Sequence, residues 1–156
     1  MKQILLLLLL LTFFITSCTH KPGSYNVTAN YMVIGPGGGF RPPQGTFYYL
    51  TNSQLIADTT VSIYNPPADI SLFNFNDTMP SPKHAAVKDI LQSIPSEILG
   101  LNHKEIGISN VAADGGYTDI RTKINGILYD WKFHDNQSTS SPEIQQFVAK
   151  AQVVFK

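Results

Sequence analysis

The chain has 156 residues, with eleven Lys+Arg against eleven Asp+Glu, 14% charged residues and 43% hydrophobic residues. A single domain is the expected count. The zero net charge argues against a nucleic-acid partner, which calls for a basic surplus, the apolar share argues against general disorder, and one cysteine excludes an internal disulfide framework and a multi-cysteine zinc site.

The chain opens Met1-Lys2-Gln3, runs through Ile4 and seven leucines to Leu11, and continues Thr12-Phe13-Phe14-Ile15 before Thr16-Ser17-Cys18. One positive charge, about a dozen mostly apolar residues and then small residues form the layout of a secretory signal peptide. The apolar run is shorter than the roughly 17–25 residues that span a bilayer. Ile15-Thr16-Ser17-Cys18 resembles a bacterial lipobox, an aliphatic residue and two small ones before a cysteine. The resemblance implies that the Cys18 thiol is joined to diacylglycerol, that residues 1–17 are removed, and that the new amino group is acylated. Two or three acyl chains hold a protein on a membrane where one holds it only marginally. Thr19 follows, where an aspartate would resemble an inner-membrane retention signal, so the expectation is the outer membrane, facing the periplasm rather than the cell surface. The alternative is an ordinary signal peptide with a coincidental cysteine.

Residues 18–30 are polar, include His20 and Pro22-Gly23, and read as a tether to a domain over 31–156. As a flexible chain its last eleven residues would reach roughly 18 Å on average. Tyr31-Met32-Val33-Ile34 reads as a strand stopped by Gly35-Pro36-Gly37-Gly38-Gly39. Thr46–Leu50 is aromatic and reads as a second strand. Gln54–Ala57 begins a third, which Val61–Tyr64 extends or follows as a fourth, before Pro66-Pro67. Ser81-Pro82 starts a helix with Val87, Ile90, Leu91, Ile94 and Ile98 at helical spacing and a break at Pro95.

Glu105–Ser109 alternates as a strand, and Asp114-Gly115-Gly116 turns the chain. Asn125-Gly126 between two alternating runs predicts a type I′ hairpin. Its two-residue loop sets Ile124 against Ile127, Thr122 against Tyr129, Ile120 against Trp131 and Thr118 against Phe133. Ile120, Ile124, Ile127, Tyr129 and Trp131 then share the buried side, while Arg121 meets Asp130 and Asp119 meets Lys132 on the other. Ser141-Pro142 starts a terminal helix with a stripe of Ile144, Phe147, Val148, Ala151 and Phe155. The order strands, helix, strands, helix predicts an α+β domain, an antiparallel sheet with two main helices on one face. With Gly37-Gly38-Gly39-Phe40, Tyr48-Tyr49-Leu50 and the terminal helix, the domain resembles small bacterial lipoproteins of uncharacterised function, a resemblance that implies no activity. The strand–helix order is also similar to that of β-lactamase inhibitor domains, a likeness of fold alone.

Catalytic spacings are scarce. Gly35–Arg41 lacks the Lys-Ser/Thr and the helix of a phosphate loop, and Pro42-Pro43 forbids that helix. His134-Asp135 leaves the hairpin near Tyr117, with Asp114 as a possible neighbour, but a solvated strand end accounts for them better than a cation site. His84 falls in a first helical turn and His103 in a loop, each without a sequence partner. No G-x-S-x-G or S-x-x-K is present. Phe73, Phe75 and Met79, in a proline-bounded connection over 66–82, form the candidate partner-binding grip, against the alternative that they fold down on the core. The expectation is a lipid-anchored envelope module without catalytic residues, metal or cofactor beyond the lipid on Cys18, binding the membrane and an envelope protein. The alternatives are an inhibitor-like domain that plugs another protein's cleft and a small hydrolase with an unrecognised site.

Overall fold

The computed structural model describes residues 30–38, 44–107 and 115–156. Cys18, His20, Arg41 and Asp114, with the signal-peptide and tether readings, lie outside the described residues. Within them the protein is α+β. Seven strands form one sheet in the order β4-β3-β2-β1-β6-β7-β5. They are β1 (Tyr31–Gly38), β2 (Gln44–Leu50), β3 (Leu55–Ser62), β4 (Asp77–Thr78), β5 (Lys104–Ile106), β6 (Gly116–Ile124) and β7 (Ile127–His134). Helices α1 (Ser81–Val87) and α2 (Ser96–Leu99) precede β5, and α3 (Pro142–Gln152) follows β7. All neighbours are antiparallel except β5, which runs parallel to β7.

The β6–β7 hairpin has the expected register, from Ile124↔Ile127 to Tyr117↔His134. Asn125 and Gly126 have φ of 51° and 86°, the two positive values a type I′ turn requires. Ile120 and Trp131 are fully buried, but Ile124 and Tyr129 are only half-buried and Ile127 is 54% exposed. The tip therefore runs past the core, which corrects the expected buried side. The charged pairs are rearranged as well. Arg121 bonds Asp119 on its own strand, and Lys132 pairs with Glu105 on β5.

β1 does not stop at Ile34. It continues through Gly35-Pro36-Gly37-Gly38, paired with β6 down to Gly38↔Gly116. A Cβ at Gly35 would lie 2.0 Å from the Phe47 ring, and one at Gly37 would lie 2.1 Å from the Tyr117 ring. The glycines are strand residues because aromatic rings from neighbouring strands occupy the space of their missing side chains. Pro36 lies beyond Ile34↔Tyr48, where the β1–β2 register ends, so its missing N–H costs that ladder nothing.

The core has two layers. Met32, Ile34, Leu50, Leu55, Ile120, Trp131 and Phe133 face the helices, which contribute Val87, Ile90, Ile98, Ile144, Phe147, Val148, Ala151 and Val154. Both main helices are on this face. Ser141 caps α3 as expected, accepting from the Ile144 N–H. The cap of α1 is Pro80, and Ser81 is its first helical residue. After Val87 the chain tightens to a 3₁₀ turn over Lys88–Gln92, so the break comes before Pro95. A second 3₁₀ turn over Val153–Phe155 closes the terminal stripe with Val154 instead of Phe155, because three residues per turn put i+3 on the Ala151 face.

Trp131 sits at the centre of the helix-side layer and donates Nε1–H to the Leu101 carbonyl at 2.7 Å. Trp131→Ala should destabilise the domain by about 3–5 kcal/mol, measured as a lower urea midpoint at unchanged slope.

Candidate functional site

The sheet's second face is covered by an irregular strap over 63–76 with one 3₁₀ turn, Ile70–Leu72. Phe73 and Phe75 are 4% and 1% exposed. Their rings stack at 5.1 Å, with Phe47 and Tyr49 each 5.4 Å away. Met79 is partly buried against the helix-side core. The expected grip is therefore not a surface. The two phenylalanines lie under a sheet face that no α-helix of the described residues covers, and burying them there removes large apolar area from water.

Two buried carboxylates hold the strap. Asp58 in β3 accepts from the Asn74 N–H at 2.5 Å, from the Thr60 N–H at 2.8 Å and from the Thr60 hydroxyl at 2.7 Å. Asp119 in β6 accepts from Arg121 Nη2 at 2.9 Å and Nε at 3.2 Å. Arg121 also donates to the Pro67 carbonyl, and its guanidinium lies 5.9 Å from the Phe73 ring centre. Burial raises the Asp119 carboxyl above its ordinary value of 3.8, against the lowering influence of Arg121. Desolvation outweighs the ion pair, so the pair locates the strap more than it stabilises the fold.

The second cluster gathers charge at the β5–β7 edge. Parallel pairing sets Glu105 beside Lys132. Its carboxylate reaches Lys132 Nζ at 3.5 Å and His134 Nε2 at 3.3 Å. The hydrogen bond with His134 is the main cause that lowers the Glu105 carboxyl below its ordinary value of 4.5. Tyr117 packs edge-on to His134 at 6.3 Å, under Lys132 Nζ at 5.5 Å, and burial raises its hydroxyl pKa. A cleft of about 220 Å³ beside them is lined by His103, Lys104, Glu105, Asp130 and Lys132. A histidine oriented by a carboxylate is an acid–base arrangement in outline. Here the Glu105 side chain is 60% exposed, and what the trio does in the fold is fasten a three-residue edge strand.

The expected neighbours of His134 are thus met in part. Tyr117 is at its side, and Glu105 is the partner that sequence reasoning missed. A contact between residues 29 apart in the chain, set by a parallel pairing, leaves no local signal. Asp135 follows in the chain, its N–H bonded to the Gly116 carbonyl. His84 reaches the Thr51 carbonyl at 3.1 Å, and His103 lies 3.9 Å from Asp130. Among the described residues no group of three His, Cys, Asp or Glu is placed to hold a metal ion, and no helix is long and apolar enough to cross a membrane. Comparison with protein-family models, curated proteins and solved structures returned no match.

Arg121→Met should cost about 3 kcal/mol or more, because it leaves Asp119 buried without its cation. A carboxyl raised in the folded state favours folding below its unfolded pKa and loses that advantage as pH rises through its folded value. The variant raises Asp119 further, so its deficit should shrink as pH falls toward 3.8. Glu105→Gln should cost under about 1 kcal/mol, as suits an exposed pair. Its carboxyl is lowered in the folded state, so this smaller deficit should be present above pH 4.5 and vanish as pH falls below it. Urea titrations across pH read both trends.

Proposed function

We propose that this chain is a lipid-anchored protein of the cell envelope, with Cys18 as the lipidated first residue of the mature form. The observation that carries the reading is the position of the only thiol. It stands at the end of the apolar run, behind Ile15-Thr16-Ser17, where a lipobox requires it. The first described strand opens at Tyr31, which leaves a short polar stretch between the anchor and the domain. Multiple acyl chains then hold the protein stably at the bilayer. Thr19 in place of an aspartate favours the outer membrane, and the domain faces the periplasm.

The domain itself is proposed to act as a non-catalytic binding or interaction module with an envelope partner and no cofactor other than the lipid. In support, the buried carboxylates Asp58 and Asp119 are committed to holding the strap. The Glu105–His134 pair is likewise committed to an edge strand.

Mass spectrometry of the protein purified from its own cells tests the anchor. The amino-terminal peptide should begin at residue 18 and carry acyl mass. A mature chain that begins elsewhere and holds an unmodified Cys18 thiol overturns the reading.

A further inference from the structure

The β6–β7 tip leaves two aliphatic side chains in water. Ile127 and Leu128 are both more than half exposed, while most large apolar residues of the described chain are buried. Alternation along β7 sends Ile127 toward the helix face and Leu128 toward the strap face, so the tip is an apolar wedge on both sides of the turn. Its backbone is held in place. Asn102 Nδ2 donates to the Leu128 carbonyl at 3.0 Å, and the Asn125 N–H donates to Asn30 Oδ1 at 2.9 Å.

That last bond places the tip relative to the anchor. Asn30, the described residue nearest Cys18 in the chain, stands beside the turn. Twelve residue steps separate Cys18 from Asn30, a span of at most about 40 Å even when fully extended.

At the same end of the sheet the segments that form the turns carry no carboxylate of their own, and Asp130 stands 3.9 Å from His103. The β2–β3 turn over 51–54 is here, since Leu50 pairs with both Met32 and Leu55. The start of α1 is here too, because the Met79 N–H bonds the Leu55 carbonyl and His84 bonds the Thr51 carbonyl. Segments 30–31, 51–55, 79–84, 101–103 and 123–128 contain no Asp or Glu, and their basic residues are Lys83, His84, His103 and Lys123. A bilayer surface rejects carboxylates, takes up aliphatic side chains and tolerates cations at its headgroups.

We infer that the hairpin tip, through Ile127 and Leu128, inserts into the surface of the membrane that holds the anchor, and so sets the domain with its tether end down. The inference rests on the lipid-anchor reading.

The test uses the full lipidated chain carrying Leu128→Cys. With Cys18 acylated, the introduced thiol is the only one available for an environment-sensitive fluorophore. Ser62→Cys, exposed at the opposite end of β3, serves as reference. Both are incorporated into vesicles of phosphatidylethanolamine and phosphatidylglycerol with spin-labelled lipid as quencher. The label at 128 should be quenched several-fold more than the label at 62. Equal quenching at the two sites, in protein that floats with the vesicles, overturns the tip contact and leaves the anchor standing. Protein that does not float with the vesicles overturns both. Shielding of the 128 label that needs no vesicles and grows with protein concentration assigns the tip to a second copy and also overturns the inference.

Discussion

The sheet is buried on both faces, yet among the described residues the α-helices cover only one of them. The other face is closed by a strap with almost no regular structure, and backbone of that kind brings polar groups that need partners. Asp58 and the Asp119–Arg121 pair supply them, reaching the main chain at Asn74 and Pro67. With those points held, Phe73 and Phe75 stack on each other and pack at a tilt against Phe47 and Tyr49, and the central strands lose their exposed side. Charges inside a small domain are costly, and these stand where a helix would otherwise supply the cover.

The same constraint explains the composition of β1. A central strand flanked by β2 and β6 and covered above and below has little room. The Phe47 and Tyr117 rings fill that room from the neighbouring strands at Gly35 and Gly37. Read along the chain, Gly-Pro-Gly-Gly is a loop. Read across the sheet, it is the groove into which two rings pack. Sequence periodicity sees the first and is blind to the second.

What was legible in the sequence was local. The Asn125-Gly126 turn sets its own register, so every cross-strand pair of the hairpin followed from two residues. Ser141 announced α3 through a cap three residues long. The parallel β5, the Glu105–His134 contact and the burial of the 73–75 rings depend on long-range packing with no nearby signature. The exposed Ile127 belongs with them, since an alternating pattern says which face a residue takes but not where the core beneath that face ends. The lipobox reading of Cys18 is also local, carried by four adjacent residues, and it stands as a proposal.

The outermost strands are two and three residues long, β4 at one side and β5 at the other. Gly107, directly after Ile106, has a φ of +95°, outside the extended region. A full-length edge would offer a row of unpaired amides and carbonyls to any passing strand. Here the edge strands themselves offer only two and three residues. On the proposed lipid anchor, which would confine the molecules to a plane, that brevity would limit edge-to-edge pairing.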